Sequence, residues 1–396
     1  MTTNPADLFP HLVRDGLDPI RAIQELRDDP ATGGVRRVPG LGGGSAWIVT
    51  RYELVRAVLA DPATYSSAPA DDPSLPRPGG NGGPALSMLT SDPPDHTRLR
   101  RMLSREFTVR RIRALEPRIT EIVETCLDDM AAAGPPADLV TAFALPVPSM
   151  VICELIGVPY ADRDQFQRRT ARQVLGVPDR AEVARIAAES REYMTALAER
   201  ALAGPGDDIL GAIVRNHGDG VSRAELAELA DLLLFAGHET TASMLGIGTL
   251  ALLQHPDQLR RVRDAPDAVK PAVEELLRYC SVLQMTIPRT ATCDTELAGH
   301  RIARGDQVMV SLPVANRDPT FVGNGDTFDV GRPPSPHVAF GYGIHHCLGA
   351  GLARAEMAIA FPALLRRFPD LALATSAVRY RVPGVFHGVE ALVVEW

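Results

Sequence analysis

The sequence is poor in lysine and in aromatic side chains. Lys270 is its only lysine, so arginine supplies the rest of the 41 basic residues, and Phe, Trp and Tyr together make up 5% of 396 positions. A phosphate loop ending in G-K-[ST] is thereby excluded, because Lys270 sits in Val269-Lys270-Pro271. Paired cysteine motifs are absent too. Cys126, Cys153, Cys280, Cys293 and Cys347 are odd in number and never spaced C-x-x-C, which fits neither a disulfide framework nor a zinc ribbon. Four of them are expected to be small buried residues. No apolar run approaches the ~20 residues of a membrane span. The start, Met1 to Pro10, lacks the basic flank and apolar stretch of a signal peptide. A cytoplasmic protein is expected. A net charge of -8 argues against nucleic acid or an anionic membrane as partner.

What is present is an ordinary globular composition, 45% apolar and 23% charged, on a chain long enough to bury a large core. Trp47-Ile48-Val49 reads as a strand, and Tyr52 to Ala60 as an amphipathic helix stopped by Asp61-Pro62. Residues 66–87, rich in Pro, Gly, Asp and Ser, read as a long loop of the kind that serves as a lid. Helical periodicity then runs from Pro94 to about Tyr279. Its clearest element opens on a capping box, Ser222 with Glu225, and meets no breaker before His255-Pro256. That helix spans ~50 Å. Its middle, Leu232 to Leu253, is apolar almost all round, as in a helix that crosses a core. Residues 286–313 predict short strands with a turn at Ala303 to Asp306, 318–337 are irregular, and a last helix runs from Leu348 to Phe368. The expected fold is mainly α with a small β region, in one large domain over residues 1–396.

The most specific segment is Phe340-Gly341-Tyr342-Gly343-Ile344-His345-His346-Cys347-Leu348-Gly349. Its glycines permit a tight fold beneath a planar group. The helix after Cys347 turns its amide N–H groups and positive dipole end toward the sulfur, which favours thiolate. A thiolate is the axial ligand that pushes electron density onto haem iron. A second cluster, Leu234-Phe235-Ala236-Gly237-His238-Glu239-Thr240-Thr241, lies in the middle of the long helix. Small Ala236 and Gly237 would admit a flat cofactor to the backbone. Thr240 can bond back to a carbonyl one turn earlier, and an acid beside an alcohol can relay protons. The zinc motif H-E-x-x-H fails here, since its second histidine would fall at Ala242. Gly246-Ile247-Gly248 sits in mid-helix, without the strand-turn-helix context of a dinucleotide fingerprint.

Together these segments resemble the cytochrome P450 family, whose cysteine loop and A-G-x-[DE]-T helix they match. The resemblance covers essentially the whole chain, with anchors from His96 to Gly349. It implies a haem b monooxygenase fold with Cys347 as iron ligand and Glu239 and Thr240 as the proton-delivering pair. Ala236, Gly237, Phe340, Gly341 and Gly349 would border the haem, and His96, Arg100, Arg289 and His345 would meet its carboxylates. Glu275, Arg278 and Arg332 match the family's structural ion-pair set, although Phe321 to Thr327 departs from the family's pattern. Substrate would touch Met88, Leu89, Leu233, Ala236, Val282, Thr286, Ile287 and Phe386. Most of these are apolar, which implies a hydrophobic small molecule, in this family a polyketide, macrolide or other secondary metabolite. The alternatives are a xenobiotic oxidant, a peroxide-driven haem enzyme and a haem-based sensor. The resemblance implies O2 as the co-substrate. The chain carries no flavin or iron–sulfur motif, so electrons would come from a ferredoxin and its NAD(P)H-dependent reductase. From Arg98 to Arg118 eight arginines and two glutamates give a net +6, a basic stretch fit to dock an acidic partner. The protein is expected to act as a monomer.

Overall fold

The computed structural model describes residues 14–40, 44–68, 88–163, 180–381 and 385–396. Most of the expected lid, residues 69–87, lies outside them, as does Met1 to Pro10. Eleven helices of eight residues or more occur among the described residues. They are α1 (Arg21–Asp28), α2 (Tyr52–Ala60), α3 (Asp95–Ser104), α4 (Val109–Ala133), α5 (Pro146–Ile156), α6 (Arg180–Ala203), α7 (Ile209–His217), α8 (Arg223–Gln254), α9 (Pro256–Asp264), α10 (Val269–Cys280) and α11 (Ala350–Arg367). The mainly helical expectation holds. The chain groups into two compact units, each assembled from distant stretches of sequence.

One unit draws on Met1–Pro76, Ser243–Ala350 and Leu371–Leu392. Its centre is a five-stranded sheet of β1 (Val35–Pro39), β2 (Ser45–Val49), β3 (Tyr65–Ser66), β4 (Arg289–Ala291) and β5 (Gln307–Val310), in the order β1-β2-β5-β4-β3. β2 and β5 run parallel, with Trp47 opposite Val308 and Val49 opposite Val310. Val35, Val49, Val308 and Val310 are fully buried against Tyr52, Val55 and Val58 of α2. The predicted strand at 47–49 and the helix at 52–60 are thus the two faces of one core. The predicted turn is closed by the Asp306 N–H donating to the Ala303 carbonyl at 3.0 Å. The irregular stretch 318–337 contains one helical turn, Pro319–Val322, started by Asp318, whose carboxylate accepts from the Thr320 N–H. Lys270 is exposed in the first turn of α10.

The other unit draws on Arg77–Ala242, Gly351–Asp370 and Val393–Trp396. The capping box forms as predicted: the Glu225 N–H donates to Ser222 Oγ at 3.2 Å, and Glu225 Oε2 accepts from the Ser222 N–H at 3.0 Å. α8 starts there and ends at Gln254, before His255-Pro256. It has no single apolar stripe. Leu226, Leu229, Ala230, Leu232 and Leu234 are all buried within this unit's part of it.

One expectation about cysteine fails. Cys126, Cys153 and Cys280 are buried, but Cys293 is exposed. It lies between β4 and the short strand Thr295–Leu297 with Thr292 and Asp294, which are also exposed. A connection at the rim of a sheet gives a small apolar side chain nothing to pack beneath. Among the described residues no helix is long and apolar enough to cross a membrane.

Candidate functional site

The predicted site residues fall in two sets, one in each unit. In the first unit the cysteine loop is folded by its own backbone. The Gly341 N–H donates to the Val338 carbonyl at 2.8 Å, and the Cys347 N–H donates to the Phe340 carbonyl at 2.9 Å. Gly341 and Gly343 have φ of +69° and +73°, which only glycine adopts without strain. A Cβ on Gly343 would also stand 2.1 Å from the Leu59 carbonyl, so the loop needs glycine there twice over. Cys347 is exposed, three residues before the start of α11. A Cβ on Gly349 would lie 4.0 Å from Cys347 Sγ, an ordinary contact, so this glycine is not demanded by the sulfur.

Behind the loop stands a buried polar network. Arg278 donates to both carboxylate oxygens of Glu275, at 2.7 and 2.8 Å. Arg332 adds a longer contact to Glu275 at 3.3 Å and donates to the carbonyls of Asn324 and Thr327 at 2.9 Å each. Arg278 also donates to the Asn316 carbonyl at 3.0 Å and the Gly325 carbonyl at 2.7 Å. Asn316, fully buried, then accepts from the Val338 N–H at 2.7 Å, two residues before Phe340. Asn316 is the link between the ion pairs and the cysteine loop, and sequence reasoning missed it. The signal was Asn316-Arg317-Asp318, a polar triplet directly after the apolar run Leu312 to Ala315.

Arg289 is buried in β4. His345 is half-buried, and its Nε2 lies 2.9 Å from Ser67 Oγ. Val282 is buried, whereas Thr286, Ile287 and Phe386 are half-buried. Leu283 and Phe386 form an antiparallel bridge, so two of the chain segments expected to meet substrate lie side by side.

In the second unit His96 is buried and Arg100 half-buried, one turn apart on α3. Met88 is buried and Leu89 half-buried in the turn that precedes it. On α8, Thr240 Oγ1 donates to the Ala236 carbonyl at 2.7 Å, the expected bond one turn back. Leu232, Leu233 and Leu234 are buried, yet Ala236 is exposed, and Glu239 and Thr240 are half-buried beside it. A flat apolar group would therefore meet Ala236. Gly237 has a different reason to be small: a Cβ there would stand 3.3 Å from Ile152 Cδ1 of α5. The buried His238 has Nε2 3.3 Å from the Leu145 carbonyl, so it holds the helix rather than facing outward.

The basic stretch is partly neutralised. Arg98 pairs with Glu225, Arg111 with Glu106, and Arg118 with Glu154. Arg101, Arg105, Arg110 and Arg113 are exposed. A surface groove of about 730 Å³ runs past Pro94, Thr97, Arg98, Arg101 and His217.

Residues 207–374 match the family model described as cytochrome P450. The chain is 44% identical over 403 aligned residues to cytochrome P450 FAS1 of Rhodococcoides fascians, covering 99% of both chains. The chain belongs to the cytochrome P450 family. It is also 43% identical to pentalenic acid synthase of Streptomyces avermitilis, over 96% of this chain and 94% of that one. Among solved structures it resembles P450 StaH from glycopeptide antibiotic A47934 biosynthesis, with a TM-score of 0.87, 39% identity, and coverage of 98% and 99% of the two chains. This P450 is therefore a haem-thiolate monooxygenase, and the fold expected from its cysteine loop is the fold it has. The residues present suit the group. The loop leaves Cys347 exposed three residues before a helix, and α8 leaves Ala236 exposed between half-buried Phe235 and Gly237.

Proposed function

We propose that this P450 hydroxylates or epoxidises a largely hydrophobic secondary metabolite, using haem b bound through Cys347 and electrons from a ferredoxin with its NAD(P)H-dependent reductase. The observation that carries the reading is the exposed Cys347 at the end of a loop closed by its own amide and braced through Asn316. A biosynthetic role is supported by two relatives, one named as pentalenic acid synthase and one taken from glycopeptide antibiotic biosynthesis.

Bound haem supplies the activation of oxygen, with electron density pushed in from the thiolate. The rest is the work of the chain. Arg289, His345, His96 and Arg100 are the donors for the haem carboxylates. Thr240 spends its proton on the Ala236 carbonyl, so its oxygen is left to accept a hydrogen bond from the oxygen side. Glu239, half-buried next to it, is the acid that supplies protons to that side through water. Val282, Ile287 and Phe386 offer an apolar wall that selects a hydrophobic ligand and excludes bulk water. Arg101 and Arg105, exposed and outside the ion pairs of Arg98 and Arg111, are the docking charges for an acidic ferredoxin. The enzyme acts as a cytoplasmic monomer.

The reduced protein with carbon monoxide tests the sulfur ligand directly. The red-shifted Soret band of thiolate ligation is expected, and Cys347→Ser or Cys347→His should abolish it. A band that survives either change overturns the assignment. Turnover with ferredoxin, reductase and NADPH, compared with peroxide alone, then separates an oxygen-activating enzyme from a peroxide user.

A further inference from the structure

The turn formed by Arg14 to Asp18 touches both chain segments that carry the Leu283–Phe386 bridge. The turn itself is closed by the Asp18 N–H donating to the Asp15 carbonyl at 3.0 Å. Arg14 reaches out of it and donates to the Cys280 carbonyl at 2.8 Å and the Ser281 carbonyl at 3.3 Å. Those are the last carbonyls before Val282. Ser281 ends α10 in the left-handed region, with φ of +41°, so the direction in which 282–286 leaves the helix is set here.

His387 holds the other segment. Its Nε2 lies 2.9 Å from the Gly16 carbonyl, and its ring stacks on Tyr380, with centroids 5.5 Å apart and planes 14° apart. A carbonyl can only accept, so Nε2 carries the proton and donates. His387 is 8% exposed, and burial, then the nearby Arg14 charge, pushes its pKa down to about 2, so the ring is neutral. Between these anchors the two segments are tied by the Gln284 N–H donating to the Val385 carbonyl at 2.8 Å and the His387 N–H donating to the Val282 carbonyl at 2.7 Å.

We propose that the turn Arg14–Asp18 is a clamp that positions Leu283 and Phe386, and that Arg14 and His387 thereby set which molecules this P450 accepts. Arg14 fixes the segment just before Val282, and His387 fixes the segment just after Phe386. A shift of either anchor moves an apolar surface, not a reacting group. The clamp therefore acts on shape selection and leaves oxygen chemistry alone. This inference rests on the reading that Val282 to Ile287 and Phe386 face substrate.

The test uses two iron-binding probes on the full-length haem-loaded protein. Imidazole needs only access to the iron, whereas 4-phenylimidazole also needs room for its ring beside the apolar wall. The ratio of their dissociation constants reads the wall. Phe386→Ala checks the underlying reading, and His387→Leu checks the clamp. The clamp predicts that His387→Leu shifts the ratio by roughly 3- to 10-fold, the effect of one lost hydrogen bond. His387→Gln, whose amide N–H can still donate to Gly16, should restore most of it. Faster hydrogen exchange at the Gln284 and His387 amides should accompany the shift. If Phe386→Ala moves the ratio and His387→Leu does not, the clamp is wrong while the reading stands. If Phe386→Ala leaves the ratio unchanged, the reading fails and takes the clamp with it. Should His387→Leu not load haem, Arg14→Gln carries the same test at a partly exposed position, and an unmoved ratio there overturns the proposal.

Discussion

Glu275 and Arg278 face each other through two parallel hydrogen bonds, with side-chain exposures of 3% and 1%. At the surface an i, i+3 pair of this kind contributes little. Buried, its loss is severe, because removal of one partner strands the other without water. Arg278→Leu should cost about 3–5 kcal/mol of stability. Thermal denaturation of the purified protein measures it. Arg278→Lys should fail nearly as badly, since a lysine cannot keep two bonds to Glu275 while also reaching the Asn316 and Gly325 carbonyls.

Gly343 supports a prediction of a different kind. Its φ of +73° and the 2.1 Å approach of any Cβ to the Leu59 carbonyl make Gly343→Ala a backbone clash. A loss of about 2 kcal/mol or more is expected. Haem content after purification should fall with it. Gly349→Ala, where the added carbon would sit 4.0 Å from Cys347 Sγ, should be tolerated far better. Equal haem loading in both variants would contradict the geometry.

How much of this was legible in the sequence depends on the range of the interaction. The capping box at Ser222 and Glu225, the back-bond of Thr240, and the glycine turns around Gly341 and Gly343 are local, and local spacing predicted them. The pairing of Glu275 with Arg278 is local too, but its burial is not, and only the family resemblance singled it out. Asn316 and the contacts of Arg14 and His387 join residues up to 371 positions apart, as in the His387–Gly16 bond. No periodicity encodes such contacts. The exposure of Cys293 escaped for a related reason: a cysteine in a rim turn reads the same as one in a core.

For the oxygen-side helix, Thr240→Ala removes the hydroxyl that bonds to the Ala236 carbonyl. Product formation should fall about 100-fold, the usual scale for a lost proton-transfer group. NADPH consumption should fall much less, because electrons still arrive. The ratio of product to NADPH consumed is the measurement. Glu239→Gln should lower the rate with substrate affinity unchanged.

Charge reversal at Arg101 and Arg105 together should slow reduction by ferredoxin about tenfold at low ionic strength, with the difference shrinking as salt rises. Arg98→Glu is the contrast. It breaks the pair with Glu225 and places two acids together, so it should lower stability as well. Stopped-flow reduction across a salt series distinguishes the two. Salt-independent slowing would assign Arg101 and Arg105 to the fold instead of to docking.

Glu356, buried on α11, sets an alkaline limit. Burial pushes its carboxyl up from 4.5 to about 8. The folded state thus holds this proton more tightly than the unfolded chain does. Its contribution is fully present below pH 4.5 and is lost as pH rises through 8. Glu356→Gln should flatten the fall in stability across that window and raise the melting temperature most at its upper end. Melting curves from pH 5 to 9 (roughly the span of the shift) would show the slope persisting if Glu356 were not its source.

The scarcity of lysine has a practical consequence in the folded protein. Lys270 is exposed in the first turn of α10, a helix whose later residues Glu275 and Arg278 anchor the bracing network. Amine-reactive chemistry therefore finds one side-chain address. A dye, a cross-linker or a solid support attached there enters at a single known point, five residues before Glu275. The same side chain could tether an electron-donor protein through one known point of attachment.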